Sequence, residues 1–180
     1  MASHLLYFAD DRLSVAELSA ACLDGDLYGL GEAYIPGDAV ETRALRAGSL
    51  RPLLGDNLAA THASAAWVHG ALDDPPARHS VQRAVPKRLH HVIGRRTIYR
   101  DPHIGEADLE VHCGARVTTP ARTLADLART ADAVDDLVAA RMAAAFPDAV
   151  AAAISWLEAA PVLPHKRRAL SLLRDQFTTR

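Results

Sequence analysis

Apolar positions first recur at helical spacing at Val15, Leu18 and Cys22, behind a capping box in which Ser14 stands three residues before Glu17. The pattern predicts a short helix that ends near Asp24-Gly25. In "DLYGLGEAYIPGD", Leu27, Tyr28, Tyr34 and Ile35 then flank a glycine-marked turn, which predicts a small β-hairpin. Asp38, with Glu41 three residues on, predicts a second capping box opening a helix to about Leu54, with Pro52 breaking its last turn. The stretch "LAATHASAAWVHGAL" follows as a brief apolar strand, a cap at Thr61 or Ser64, and a short helix ended by Gly70. A proline-bearing loop covers 73–77. Beyond it, "SVQRAV", "RTIYR" and "DLEVHC" are short β-leaning runs. After Thr119 the pattern is helical throughout: one helix from Pro120 to about Thr130, a second in "AVDDLVAARMAAAF", and two more opened by Pro147 and Pro164.

These elements predict an α+β fold: a small mixed β-sheet covered by helices, preceded by a helix plus hairpin and followed by a helical C-terminal third. The division follows as residues 1–38 and residues 39–180. At 180 residues, 49% hydrophobic and with a mean hydropathy of −0.01, the chain can bury a substantial core. No run approaches the roughly 18–20 apolar residues of a membrane span, and "MASHLLYFADD" lacks the features of a signal peptide, so a cytoplasmic location without a membrane partner is expected. Cys22 and Cys113 have no disulfide or zinc spacing and read as small buried residues. Trp67 and Trp156 read as core.

The net charge of −2 hides an asymmetry. Residues 1–42 carry one basic and eight acidic side chains, a balance of −7, whereas residues 43–101 carry ten basic and four acidic, a balance of +6. Within the latter, "PKRLHHVIGRRTIYR" gathers Lys87, Arg88, His90, His91, Arg95, Arg96 and Arg100 around a turn near Gly94. Guanidinium groups donate bidentately to phosphate, so Lys87, Arg88, Arg95, Arg96 and Arg100 are candidate nucleic-acid contacts, weighed against a solvated hairpin. In "ARVTTPARTLADLART", Thr119 caps and Pro120 opens the helix, yet Arg122 lies in the first turn, against the macrodipole, with Asp126 one turn later. Three arrangements fit: a structural lock in which Arg122 folds onto a strand carbonyl or an acid such as Glu110, an anion site built from Thr118, Thr119, Arg122 and free N–H groups, or an exposed pair. His62, Ser64 and His69 have no third metal ligand at a recognisable spacing and no nucleophile elbow. Packing and local hydrogen bonds account for them, as for His90-His91 and His112-Cys113. No phosphate loop, dinucleotide fingerprint or paired-carboxylate site occurs, so neither a metal nor a cofactor nor an enzymatic activity is expected.

The segments "TTPARTLADLAR" and "THASAAWVHGAL" together resemble the AbiEi family, the antitoxin-like transcriptional regulators of type IV toxin–antitoxin systems. The resemblance covers roughly residues 14–130 and rests most on Val117 to Ala128, where Thr118, Pro120, Arg122, Thr123, Asp126 and Leu127 match together. It implies an amino-terminal winged helix joined to a mixed α/β domain, and a non-enzymatic, DNA-binding transcriptional regulator. The implied partners are DNA and a cognate toxin that need not be touched directly, with a homodimer as a compatible assembly. Two departures stand out. The winged helix is reduced to one helix and a hairpin, and residues 131–180 lack the spaced acidic and lysine residues of the nuclease-like tails found in related proteins. The alternative is a protein-interaction module that uses the acidic amino-terminal segment and no DNA.

Overall fold

The structure, a computed structural model, describes residues 4–89 and 94–177. Helix α1 (Val15–Asp24) opens on the expected capping box: the Ser14 Oγ accepts from the Glu17 N–H, and the Glu17 carboxylate accepts from the Ser14 N–H at 2.8 Å. Gly25, at φ +84°, ends it in the left-handed conformation. Strands β1 (Leu27–Leu30) and β2 (Ala33–Pro36) form the expected antiparallel hairpin around Gly31-Glu32. Leu30 and Ile35 share one apolar cluster with Leu45, Leu50, Leu54 and Trp67, so the hairpin is packed onto the rest of the chain.

The second helix starts later than the sequence predicts. Helix α2 is Arg43–Ser49, and its cap is Thr42, whose hydroxyl accepts from the Leu45 N–H at 3.2 Å, rather than Asp38. Tertiary contacts override the local signal here. The Ala39 N–H bonds the Pro36 carbonyl, the Tyr28 hydroxyl donates to the Ala39 carbonyl, and Glu41 turns to the Arg46 guanidinium. Leu50 interrupts the helix, and Pro52 falls in the first turn of a one-turn helix α3 (Arg51–Leu54).

Strands β3 (Leu58–Ala60), β4 (His79–Arg83), β5 (Thr97–Arg100), β6 (Leu109–His112) and β7 (Ala115–Thr118) form one mixed sheet in the order β5-β4-β3-β7-β6. The central strand β3 is antiparallel to β4 and parallel to β7; β5 runs parallel to β4, and β6 is antiparallel to β7. A short helix α4 (His62–His69) links β3 to β4, with Thr61 in the cap position and Gly70, at φ +91°, closing it. Small residues lie where α4 meets the sheet: Ala60 and Ala65 are fully buried in one cluster and let the helix lie close to the strands.

The helical third comprises α5 (Pro120–Arg129), α6 (Ala133–Ala145), α7 (Pro147–Ala159) and α8 (Lys166–Phe177). Pro164 stands two residues ahead of the last helix. Helix α5 is the hub, packing on α4, α6, α7 and α8, and Leu124, Leu127, Met142, Leu157 and Leu173 fill a second apolar cluster around it. Trp67 is fully buried as expected, whereas Cys22 and Cys113 are only half-buried free thiols. The architecture is α+β. No helix of the described residues is long and apolar enough to cross a membrane.

Gly31 is fixed by both backbone and space. Its φ is +57°, and a Cβ there would lie 3.2 Å from the Trp67 ring and closer still to the Ser49 hydroxyl. Gly31→Ala is expected to destabilise by about 1–3 kcal/mol through strain and overpacking, measured by urea denaturation, whereas Gly29→Ala, with nothing near its Cβ, costs much less.

Candidate functional site

The strand-to-helix junction of β7 and α5 organises the site. Thr119 caps α5 by accepting from the Arg122 N–H at 3.3 Å, and its own N–H bonds the Asp108 carbonyl. The Thr118 hydroxyl meets the Thr123 hydroxyl at 2.7 Å. Arg122, 7% exposed, folds back between two carboxylates: its Nη1 donates to Asp108 at 2.6 Å and its Nε to Asp126 at 2.8 Å. Trp156 lies over the guanidinium, 4.5 Å from carbon to ring centre. Arg129 adds a bond to the other Asp126 oxygen at 3.2 Å and reaches the Pro164 carbonyl. This is the structural lock, with Asp108 as the strand-side acid. Glu110 instead bonds His112 at 2.8 Å and approaches Arg43 at 3.8 Å. Burial pushes the Asp126 carboxyl up, and the neighbouring guanidinium groups of Arg122 and Arg129 oppose that shift.

Beside this knot opens a cavity of about 440 Å³. Arg100, Arg122, Arg129, His62, Gln82 and Trp156 line it, together with Asp126, His103 and the prolines of the 160–164 connection. The strand register places two of these side chains together: Arg100 on β5 sits opposite Gln82 on β4, while its neighbour Tyr99 packs into the first apolar cluster. His62 has an unusual φ of +48°, and its Nδ1 is 2.9 Å from the Thr61 hydroxyl. Burial, and then the guanidinium groups of Arg100, Arg122 and Arg129, lower its pKa to about 3, so the ring is neutral. A larger groove of about 760 Å³ runs along residues 160–168, but the Lys166 ammonium there is already held by the Glu158 and Ala160 carbonyls.

The structure divides the basic run. Lys87, Arg88, Arg95 and Arg96 are exposed on the β4–β5 connection, whereas Arg100 is half-buried in the cavity wall. Arg88 approaches Asp101 at 3.5 Å, and Arg96 bonds Glu32, on the hairpin turn, at 2.8 Å. His90 and His91 lie outside the described residues. Of the acidic amino-terminal side chains, Glu17, Glu32 and Glu41 are engaged within the chain.

The histidines and Ser64 do not converge as the set His62, Ser64 and His69. His69 donates from Nε2 to the Thr118 carbonyl at 2.7 Å, and burial lowers its pKa. Ser64 pairs with His79, which sequence reasoning did not single out. The Ser64 Oγ accepts from the Ser80 N–H at 2.9 Å and meets the His79 Nδ1 at 3.2 Å. The His79 Nε2 faces Glu32 at 3.8 Å, beyond hydrogen-bond reach. This order resembles a nucleophile, base and acid, but Ser64 is fully buried and bound to backbone, so the chain of groups works as scaffold. Among the described residues, no group of three or more His, Cys, Asp or Glu could hold a metal ion. His112 bonds Glu110 and Cys113 takes φ +46° in the β6–β7 turn.

Residues 58–162 match the AbiEi antitoxin C-terminal domain. The chain belongs to the AbiEi antitoxin family. The AbiEi match runs from β3 through α7, and so contains the whole sheet, the Arg122 knot and most of the cavity wall. Family membership supports an antitoxin-like role, and AbiEi antitoxins are generally non-enzymatic. Among solved structures, the RV2827C protein from Mycobacterium tuberculosis is similar at 19% identity and a TM-score of 0.47, over 92% of this chain and 66% of that one. The AbiEi chain thus spans just under two thirds of that protein's length. No curated protein matches it.

Truncating Asp126 to alanine leaves Arg122 and Arg129 short of a buried acceptor, and a cost of about 3–5 kcal/mol is expected. Glu110→Ala, at a half-buried pair, should cost about 1 kcal/mol or less. Urea midpoints distinguish the two. Acid should also destabilise the fold through His62 and His79, whose folded pKa values, about 3 and about 4, lie below the unfolded value near 6.5. For His79 the cause is burial, then Arg96. Only the unfolded chain gains these protons as pH falls through 6.5, so stability is full above that value and declines toward pH 4. Each ring should withdraw about 2 kcal/mol by pH 5. Glu32, raised by burial against the pull of Arg96, contributes with the opposite sign. A His79→Asn chain unfolded in urea between pH 7 and pH 5 should lose the smaller amount.

Proposed function

We propose that this AbiEi antitoxin-family chain acts as a non-enzymatic DNA-binding transcriptional regulator, with the β4–β5 connection lying along the phosphate backbone. The observation that carries the reading is the exposure of four cations, Lys87, Arg88, Arg95 and Arg96, on that one connection. Phosphate contacts of this kind fix position and supply affinity without reading sequence. The Arg96–Glu32 pair supports a second element of the proposal, because it ties the basic connection to the tip of the β1–β2 hairpin. We read residues 1–38 as a winged-helix remnant whose hairpin stands beside the backbone-contacting loop, and residues 39–180 as the domain that carries it. A cognate toxin is the functional partner that family membership suggests, opposed through expression of its gene and without required contact, and the regulator works as a homodimer in the cytoplasm.

The test is fluorescence anisotropy with the duplex upstream of the chain's own gene against a scrambled duplex, at about 50 and 200 mM salt. Four neutralised phosphates give a slope of log K on log salt near −3.6, and a contribution from Arg100 as well would give about −4.5. Lys87→Ala/Arg95→Ala should bring the slope to about −1.8, and Arg100→Ala should leave it unchanged. Absence of binding at low salt, or a slope unaffected by the double substitution, overturns the proposal.

A further inference from the structure

The geometry points to a second, independent ligand site: the cavity beside the Arg122 knot binds a small phosphate ester carrying a planar ring, of the kind a mononucleotide presents. The first observation is Arg100. Its Nη1 is buried and has no hydrogen-bond partner among the described residues, although a guanidinium offers five donors and an orphaned buried donor is costly. The other two guanidinium groups on the wall are already anchored, Arg122 to Asp108 and Asp126, and Arg129 to Asp126 and the Pro164 carbonyl. Arg100 is the one of the three whose buried donor has no partner among the described residues.

The surrounding charge favours an anion. Three guanidinium groups and one carboxylate, Asp126, line the cavity, and that carboxylate is already shared between two of them. Asp135 lies near enough to Arg100 to feel its charge. His62 is kept neutral first by burial, and the charged groups that act on it after that, Arg100, Arg122 and Arg129, are all guanidinium groups. The lining also has an apolar part, with Trp156, Pro102, Pro161 and Leu163. Arg122 stacks on Trp156 and holds the indole in place. A bare oxyanion would use only half of such a site. The volume, about 440 Å³, falls within the about 300–1,000 Å³ of small-molecule pockets.

The experiment is isothermal titration of the full chain at low salt with adenosine monophosphate, adenosine and inorganic phosphate in turn. The nucleotide should bind with Kd below about 1 mM, and adenosine and phosphate should each bind at least about tenfold more weakly, as expected when one of two recognised groups is missing. Arg100→Gln should weaken nucleotide binding about tenfold or more while leaving the thermal midpoint of the free chain unchanged or higher, because it removes an orphaned donor. His103→Ala, at an exposed wall residue, should weaken binding without unfolding the chain. Lys87→Ala/Arg95→Ala should bind the nucleotide as the parent does, which separates this site from the DNA-contacting loop. Equal binding by the parent and the Arg100→Gln chain, or nucleotide binding no tighter than that of phosphate, overturns the assignment. So does uptake of a 5′-phosphorylated oligonucleotide through Arg100 with no binding of the free nucleotide.

Discussion

The Arg122 guanidinium, buried between Asp108 and Asp126 and covered by Trp156, is the interaction on which the rest of the structure depends. Asp108 sits in the 3-10 turn (Glu106–Asp108) before β6, Asp126 and Arg129 on α5, Trp156 on α7, and Pro164 just before α8. Arg122 therefore sets the distances among the sheet edge, the hub helix and α7, and Arg129 adds the connection to α8. Desolvating it is expensive, and a buried ion pair of this kind is weak evidence for stability in itself. Its value lies in direction: a fork with fixed angles admits one relative placement of its acceptors, whereas the alanine-rich contacts around it would tolerate sliding.

A second chain of polar groups, broken at one point, lies beside α4. Hydrogen bonds join the Ser80 N–H, Ser64 and His79, and a separate ion pair joins Glu32 to Arg96, with the His79 ring facing Glu32 at 3.8 Å. The Arg96–Glu32 pair ties the hairpin turn to the loop before β5 and gives the amino-terminal segment a seat beyond the apolar contacts of Leu30 and Ile35. The two chains place the exposed cations and the cavity at different parts of the molecule's surface, and Arg100, read from sequence with the first group, belongs by strand register to the second.

Local signals were legible where the structure obeys local rules. The Ser14–Glu17 box, the Gly25 and Gly70 stops, and the Thr119-Pro120 helix start depend on neighbours within four residues, and all form as read. The Arg122–Asp126 pair could be seen because its two members are one helical turn apart. Its third member could not: Asp108 stands just before β6 and Glu110 within it, two residues apart, and choosing between them requires the placement of the sheet edge against α5. The same limit applies to Asp38, a good cap by sequence that loses to Thr42 once Tyr28 and the hairpin fix the preceding backbone. His79 and Glu32 are brought together by topology alone, and nothing in their sequence neighbourhoods announces a pairing. Arg100 carried a usable signal, since alternation in "TIYR" sends it to the face opposite Tyr99; the density of positive charge around it obscured that.

The order of the sheet has a consequence for synthesis on the ribosome. The central strand β3 pairs on one side with β4, but its other neighbour, β7, follows β4, β5 and β6 along the chain. Until β7 has emerged, β3 carries an open edge, which is the condition under which nascent strands find wrong partners. Helix α5 follows β7 at once, and brings Arg122 and Asp126 with it. Closure of the sheet's centre and the pairing of Arg122 with its two carboxylates thus belong to one event in translation, and a chain arrested before it holds neither.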